Sequence, residues 1–191
     1  MAPIITTVSG KRINLQQSDD LDQIDIDDIY HGLVKQCRYN GQVTKSMSVA
    51  AHCVNVGKAV FKQTGDPKLA LEGLLHDAHE AYTGDLAAPI KEWMMDKGHM
   101  AFDFLEHRIA GSIMYLNGVT HCIHKIEEGW MYAPSDIVKE IDRKAFEHES
   151  VYLRPSNGME KRHLYIFPAY PQLAKHGEFM GLLEEWKDAS R

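Results

Sequence analysis

The stretch Leu74-Leu75-His76-Asp77-Ala78-His79-Glu80 constrains this chain more than any other, because it sets imidazoles and carboxylates directly among aliphatic residues. Polar side chains withdrawn from water need partners to offset their desolvation, so whatever folds around this segment must supply a ligand or counter-charges. Asp66-Pro67 reads as a helix start, with Asp as N-cap and Pro at the first helical position. Ala70, Leu71, Leu74, Leu75, Ala78 and Ala81 give that helix its apolar face. Continued through the motif, the helix puts His76 and Glu80 four residues apart on one face, with Asp77 one step round. Such a group can hold a metal and keep a carboxylate beside it.

A His-Asp dipeptide acquires meaning only with distant partners, and two are well placed. His52 lies in Ser48-Val49-Ala50-Ala51-His52-Cys53-Val54, a helix capped by Ser46 or Ser48 that continues through Val56, Val60 and Phe61 and stops at Thr64-Gly65. Asp142 lies in Ile137-Val138-Lys139-Glu140-Ile141-Asp142, on a helix that Pro134-Ser135-Asp136 starts and that runs to about Ser150. Taken singly, His52 reads as a satisfied core histidine and Asp142 as the partner of Arg143 or Lys139. Taken together with the central pair, they read as ligands. Two imidazoles and two carboxylates form a donor set suited to manganese, cobalt, zinc or iron(II).

This order, His, then His-Asp, then Asp on separate helices, resembles the HD-domain metal-dependent phosphohydrolases. The run from Leu75 to Lys91, with Glu80, Gly84-Asp85 and Pro89-Ile90-Lys91, is similar to the same segment of the HD-domain 5'-deoxynucleotidases and of the bacteriophage dATP triphosphohydrolases. Arg38-Tyr39 stands upstream of His52 as an Arg-aromatic pair does in those enzymes. The resemblance implies an all-α HD-domain helical bundle over residues 1–191. It implies one divalent transition metal on His52, His76, Asp77 and Asp142, with cobalt, zinc or manganese first and iron or magnesium as alternatives. Glu80 would act as general acid/base, Asp85 would contact the deoxyribose and join Glu80 in the catalytic set, and Arg38 and Lys91 would hold phosphate oxygens. Tyr39, where tryptophan is common, would pack on the nucleoside. The activity implied is hydrolysis at the α-phosphorus of a 2'-deoxynucleotide. Conversion of dATP to deoxyadenosine and triphosphate is the leading reading, extending to dADP and dAMP, and 5'-deoxynucleotidase action on dNMPs is the alternative. A nucleotide-binding sensor without turnover is the reading from another class. Relatives of this type assemble as homo-oligomers.

The remaining sequence sets bounds. A net charge of -6 and a pI near 6.0 argue against a nucleic-acid polymer or membrane surface as partner, for which a basic stripe would be the footprint. Cys37, Cys53 and Cys122 form no CxxC pair, which fits a cytoplasmic chain, that of the host if the protein is a phage's. No basic n-region or long apolar run marks a leader or a membrane span. At 191 residues one domain is expected. Ile4 to Val8 and Lys11 to Leu15 flank Ser9-Gly10 as a small peripheral hairpin. Asp19 to Asp22 read as a solvated acidic patch. Helices are expected over Asp25 to Cys37, which delivers Arg38 at its end, from Pro89, and over Met100 to Leu116. Arg154 to Pro168 reads as a connector, and Pro171 as the opening of a last helix that packs through Phe179, Leu182, Leu183 and Trp186. His79 is expected to be structural or at the surface, and His121 and His124 a fortuitous pair.

Overall fold

Two helices joined by a two-residue turn form the frame. Helix α2 (Val49–Thr64) is capped by Ser48, whose hydroxyl accepts from the Ala51 N–H at 3.2 Å. It ends on Gly65 at φ 66°, a left-handed conformation that glycine adopts without a Cβ penalty. Asp66 then caps α3 (Pro67–Leu75), accepting from the Lys68 N–H at 2.8 Å. The short turn makes α2 and α3 an antiparallel pair, so the first turn of α2, carrying His52, meets the last turn of α3, leading into His76. A pair of glycines lets the helices come close: a Cβ on Gly73 would lie 3.2 Å from the Gly57 Cα, and one on Gly57 3.1 Å from the Ala70 carbonyl oxygen.

The computed structural model describes residues 3–16, 23–153 and 175–191, and they are mostly helical. An N-terminal antiparallel hairpin pairs β1 (Ile4–Thr6) with β2 (Arg12–Asn14), with Ile5 opposite Ile13. It is less peripheral than the sequence suggests. Ile13 joins the core, and the Ser9 hydroxyl and N–H donate to Asp28 on α1 (Ile26–Lys35) at 2.6 and 3.1 Å. Helix α1 starts near Asp25 as expected, with that residue as its cap, but it ends at Lys35, and Arg38 follows in a separate short turn. Beyond α3 come α4 (Glu80–Thr83), α5 (Ala88–Asp96) and α6 (Ala101–Leu116), then α7 (Asp136–Leu153) and α8 (His176–Ala189). Phe179, Leu183 and Trp186 of α8 close the core formed by Leu33, Cys53, Leu71, Leu74, Leu75, Ile113 and Met114. A smaller cluster of Val56, Val60, Val138 and Ile141 locks α7 against α2. The acidic patch, the Arg154 to Pro168 connector and the Pro171 helix start lie outside the described residues. Among the described residues no helix is long and apolar enough to cross a membrane.

One element was not foreseen. Ile123–Ile126 (β3) pairs antiparallel with Gly129–Tyr132 (β4), with Ile123 opposite Tyr132. Glu72 of α3 anchors this hairpin. Its fully buried carboxylate accepts from the Tyr132 hydroxyl at 3.1 Å, the His121 imidazole at 2.7 Å, and the Ser135 N–H and hydroxyl, both at 2.8 Å. His121 therefore pairs with Glu72, not with His124. Burial opposes ionisation of Glu72, but His121 and Ser135 outweigh it and hold the carboxyl below its usual value of 4.5. A carboxyl with a depressed folded-state pKa contributes stability that is complete above the unfolded value and fades as pH falls through the folded one. Glu72→Ala strands these donors in the interior and is expected to cost about 3 kcal/mol. The check is the urea midpoint near neutrality. Glu72→Gln should in addition flatten the loss of stability on acidification below 4.5.

Candidate metal centre

The central motif departs from a continuous helix. Helix α3 stops at Leu75, and the chain tightens through residues 76–79 into i→i+3 hydrogen bonds, Ala78 N–H to Leu75 O at 2.9 Å and Glu80 N–H to Asp77 O at 3.0 Å, before α4 begins. The His76–Glu80 relation is thus set by a tight turn rather than by α-helical spacing. The turn keeps His76 and Asp77 pointing at one spot and carries Glu80 round to the adjoining cavity.

Four side chains from three regions meet there. His52 Nε2 lies 3.3 Å from His76 Nε2, 2.9 Å from Asp142 Oδ1 and 3.6 Å from Asp77 Oδ2, while His76 Nε2 lies 3.1 Å from Asp77 Oδ2 and 3.6 Å from Asp142 Oδ1. Donor atoms bound to one ion at about 2.1 Å stand roughly 3.0–3.4 Å apart; two of these separations fall in that range and the other three lie within about 0.2 Å of it. Tautomer chemistry supports the fit. His76 Nδ1 is 2.8 Å from the Gly73 carbonyl and His52 Nδ1 is 2.7 Å from Glu149 Oε1; both partners only accept, so each Nδ1 carries a proton. In the neutral rings the Nε2 lone pairs then face two carboxylate oxygens across a common point. Such a constellation calls for positive charge. Burial opposes charging His76, yet Asp77 and Asp142 outweigh it and hold its pKa well up. Conversely, burial would raise Asp77 and Asp142, but His76 and His52 drive both well down. Cys53 stands within 4.8 Å of the His76 and Asp77 donor atoms, but burial, then Asp77 and Glu80, push its thiol well up and keep it protonated. Glu72, His121 and Cys122 form a second such grouping, but there the carboxylate is saturated by protein donors.

Around the centre lie the other expected site residues. Arg38 sits in a short 3₁₀ turn (Arg38–Gly41) in which Tyr39 and Asn40 take left-handed backbone angles, φ 59° and 52°, a costly conformation for non-glycine residues. Its guanidinium is nearly buried, donating to Glu149 Oε2 at 2.9 Å and standing 3.6 Å from Asp77 Oδ2. Tyr39 lies on Phe146 with ring centroids 5.7 Å apart, and the two form one wall of a cavity of about 450 Å³ shared with Arg38, Glu80, Asp85 and Lys91. Glu80 is 4 % exposed and its Oε2 has no hydrogen-bond partner among the described residues. Burial, then Asp77 and Asp85, push its pKa well above the carboxylate range. Asp85 Oδ2 is likewise without a partner, and burial raises this carboxyl too. Lys91 reaches the site but is not free, since its ammonium donates to Glu106 at 2.8 Å.

Several site residues escaped sequence reasoning. His79, expected to be structural or at the surface, is buried 3.5 Å from Glu106; its place in the lining of a second cavity of about 220 Å³, beside Asp77, Lys91 and Asp142, was not foreseen. Gln36 clamps α4 from both ends: its amide nitrogen donates to the Glu80 carbonyl at 2.7 Å and its oxygen accepts from the Asp85 N–H at 3.0 Å. Nothing in the sequence marks it. Glu149 had one signal, its place seven residues after Asp142 on the same helix face.

No family model matches this chain. It is similar to an uncharacterized protein of Rhodobacter capsulatus, 36% identical over 100 residues covering 50% of this chain and 50% of that protein. It is also similar to the uncharacterized protein YfdR of Escherichia coli, 36% identical over 96 residues covering 50% of this chain and 51% of that protein. The chain thus spans about half the length of the curated relatives it matches.

Proposed function

We propose that this chain is an HD-domain-type phosphohydrolase that uses a divalent transition metal to cleave a 2'-deoxynucleotide at its α-phosphorus. The observation that carries this reading is the convergence of His52, His76, Asp77 and Asp142 on one point beside a cavity walled by Arg38, Tyr39, Glu80 and Asp85. A divalent ion bound by the four donors would supply Lewis acidity to the phosphoryl group and to water. Arg38 faces the phosphate oxygens, with its fork held rigid by Glu149. Tyr39 and Phe146 give the nucleoside an apolar wall, and Asp85 offers an acceptor to a sugar hydroxyl. Glu80, whose pKa is raised by burial and by the neighbouring Asp77 and Asp85, gives its proton to the departing 5'-oxygen as the water oxygen bonds to phosphorus and the phosphorus–5'-oxygen bond breaks. The proton released by the water restores Glu80.

The second cavity favours a triphosphate substrate over a monophosphate. It adjoins the centre through Asp77, Lys91 and Asp142 and carries His79, His107 and Lys139 as donor groups, the Asp103 carboxylate standing 3.7 Å from His107, with room for the β and γ phosphates. Glu106 within it is engaged by Lys91 and His79. Chromatography of dATP and dAMP digests with Mn²⁺, Co²⁺ and Mg²⁺ tests the reading. Deoxyadenosine and triphosphate from dATP are expected. Activity confined to dAMP would make the chain a 5'-deoxynucleotidase, and binding without product under every metal would make it a sensor.

A further inference from the structure

We infer that Glu149 is the positioning residue of this site, a single carboxylate that holds His52 in its ligating tautomer and Arg38 in its phosphate-facing pose. The inference rests on the reading above of His52 as a ligand and Arg38 as an anion contact. Glu149 follows Asp142 by two helical turns on α7, so the helix that delivers a ligand also delivers the group that sets another. The residue is fully buried, and its two oxygens are divided between two functional side chains: Oε1 at 2.7 Å from His52 Nδ1, Oε2 at 2.9 Å from Arg38 Nε. The Tyr39 hydroxyl stands 3.3 Å from Oε2. A carboxylate accepts only, so the proton on His52 is fixed at Nδ1 and the Nε2 lone pair is turned toward His76 and Asp142. The same carboxylate neutralises and orients a guanidinium whose side chain is only 10% exposed, at the wall of the larger cavity.

This division makes the site sensitive to an isosteric change. In Glu149→Gln one acceptor becomes a donor, so the amide must present its NH₂ either to His52 or to Arg38, both of which donate. The permanently charged guanidinium takes the amide oxygen, and the NH₂ falls to His52. His52 then accepts at Nδ1, carries its proton at Nε2, and can no longer ligate. With Arg38 also removed, the amide oxygen is free to turn back to His52.

The test is Co²⁺ titration of the full chain, followed by visible absorption and calorimetry, with folding of each variant checked by circular dichroism. Glu149→Gln should lose about 10- to 100-fold in Co²⁺ affinity and show an altered cobalt spectrum. Arg38→Ala/Glu149→Gln should bind Co²⁺ as tightly as Arg38→Ala alone, a recovery that a merely structural role would not produce. Folded Glu149→Gln with wild-type Co²⁺ affinity overturns the inference. Should that variant not fold, Glu149→Asp, which withdraws both oxygens by one methylene, is expected to show the same loss, and wild-type affinity there overturns it equally. A wild-type protein that takes up no Co²⁺ overturns the metal-centre reading and this inference with it. Wild-type uptake matched by Glu149→Gln overturns the role of Glu149 alone.

Discussion

Asp77→Ala is expected to abolish metal binding and turnover together. Asp77 Oδ2 is the atom shared by the whole assembly, 3.1 Å from His76 Nε2, 3.6 Å from His52 Nε2 and 3.6 Å from the Arg38 guanidinium. Its removal takes a donor from the coordination sphere and leaves Arg38 with Glu149 as its one ion-pair partner among the described residues, so that the cation drifts from where a phosphate oxygen would meet it. The loss should exceed the about 10²–10³-fold that removal of one preorganised electrostatic contact costs in kcat. Metal content by mass spectrometry and steady-state hydrolysis of dATP are the measurements. A folded variant that keeps both its metal and its rate would remove Asp77 from the centre.

Glu80→Ala should separate binding from chemistry. Glu80 lines the cavity of Arg38, Tyr39 and Asp85, and its Oε2 has no hydrogen-bond partner among the described residues. Metal uptake should therefore match the wild type while kcat falls by about 10²–10⁴-fold, the span that a positioned general acid or base contributes. KM should move little, because proton transfer belongs to the transition state and not to ground-state binding. Full activity in this variant would leave the proton without its carrier and the assigned role of Glu80 wrong.

What the sequence disclosed was local, and what it withheld was tertiary. The caps Ser48 and Asp66 were legible because each side chain accepts from a backbone N–H two or three residues on, and the stop at Gly65 because glycine takes a left-handed φ without a Cβ penalty. The break after Leu75 was not, because Ala78, Ala81 and Tyr82 continue an apolar pattern that an unbroken helix would satisfy as well. The β3–β4 hairpin was not legible, because Ile123-His124-Lys125-Ile126 and Trp130-Met131-Tyr132 both lack the period-2 alternation that marks a half-buried strand. His79 was assigned by helical direction and Lys91 by resemblance, yet Glu106, arriving from α6, pairs with both. The four donors were nameable as residue types in order. Glu149 and Gln36 were not, since a buried carboxylate or amide that serves another side chain leaves no pattern of its own along the chain.

Anomalous scattering from crystals grown with Mn²⁺ or Co²⁺ tests the central claim most directly. The account predicts one strong peak at about 2.0–2.2 Å from His52 Nε2, His76 Nε2 and carboxylate oxygens of Asp77 and Asp142. A crystal soaked to saturation with no peak between those four side chains, or with its peak elsewhere in the molecule, would contradict it.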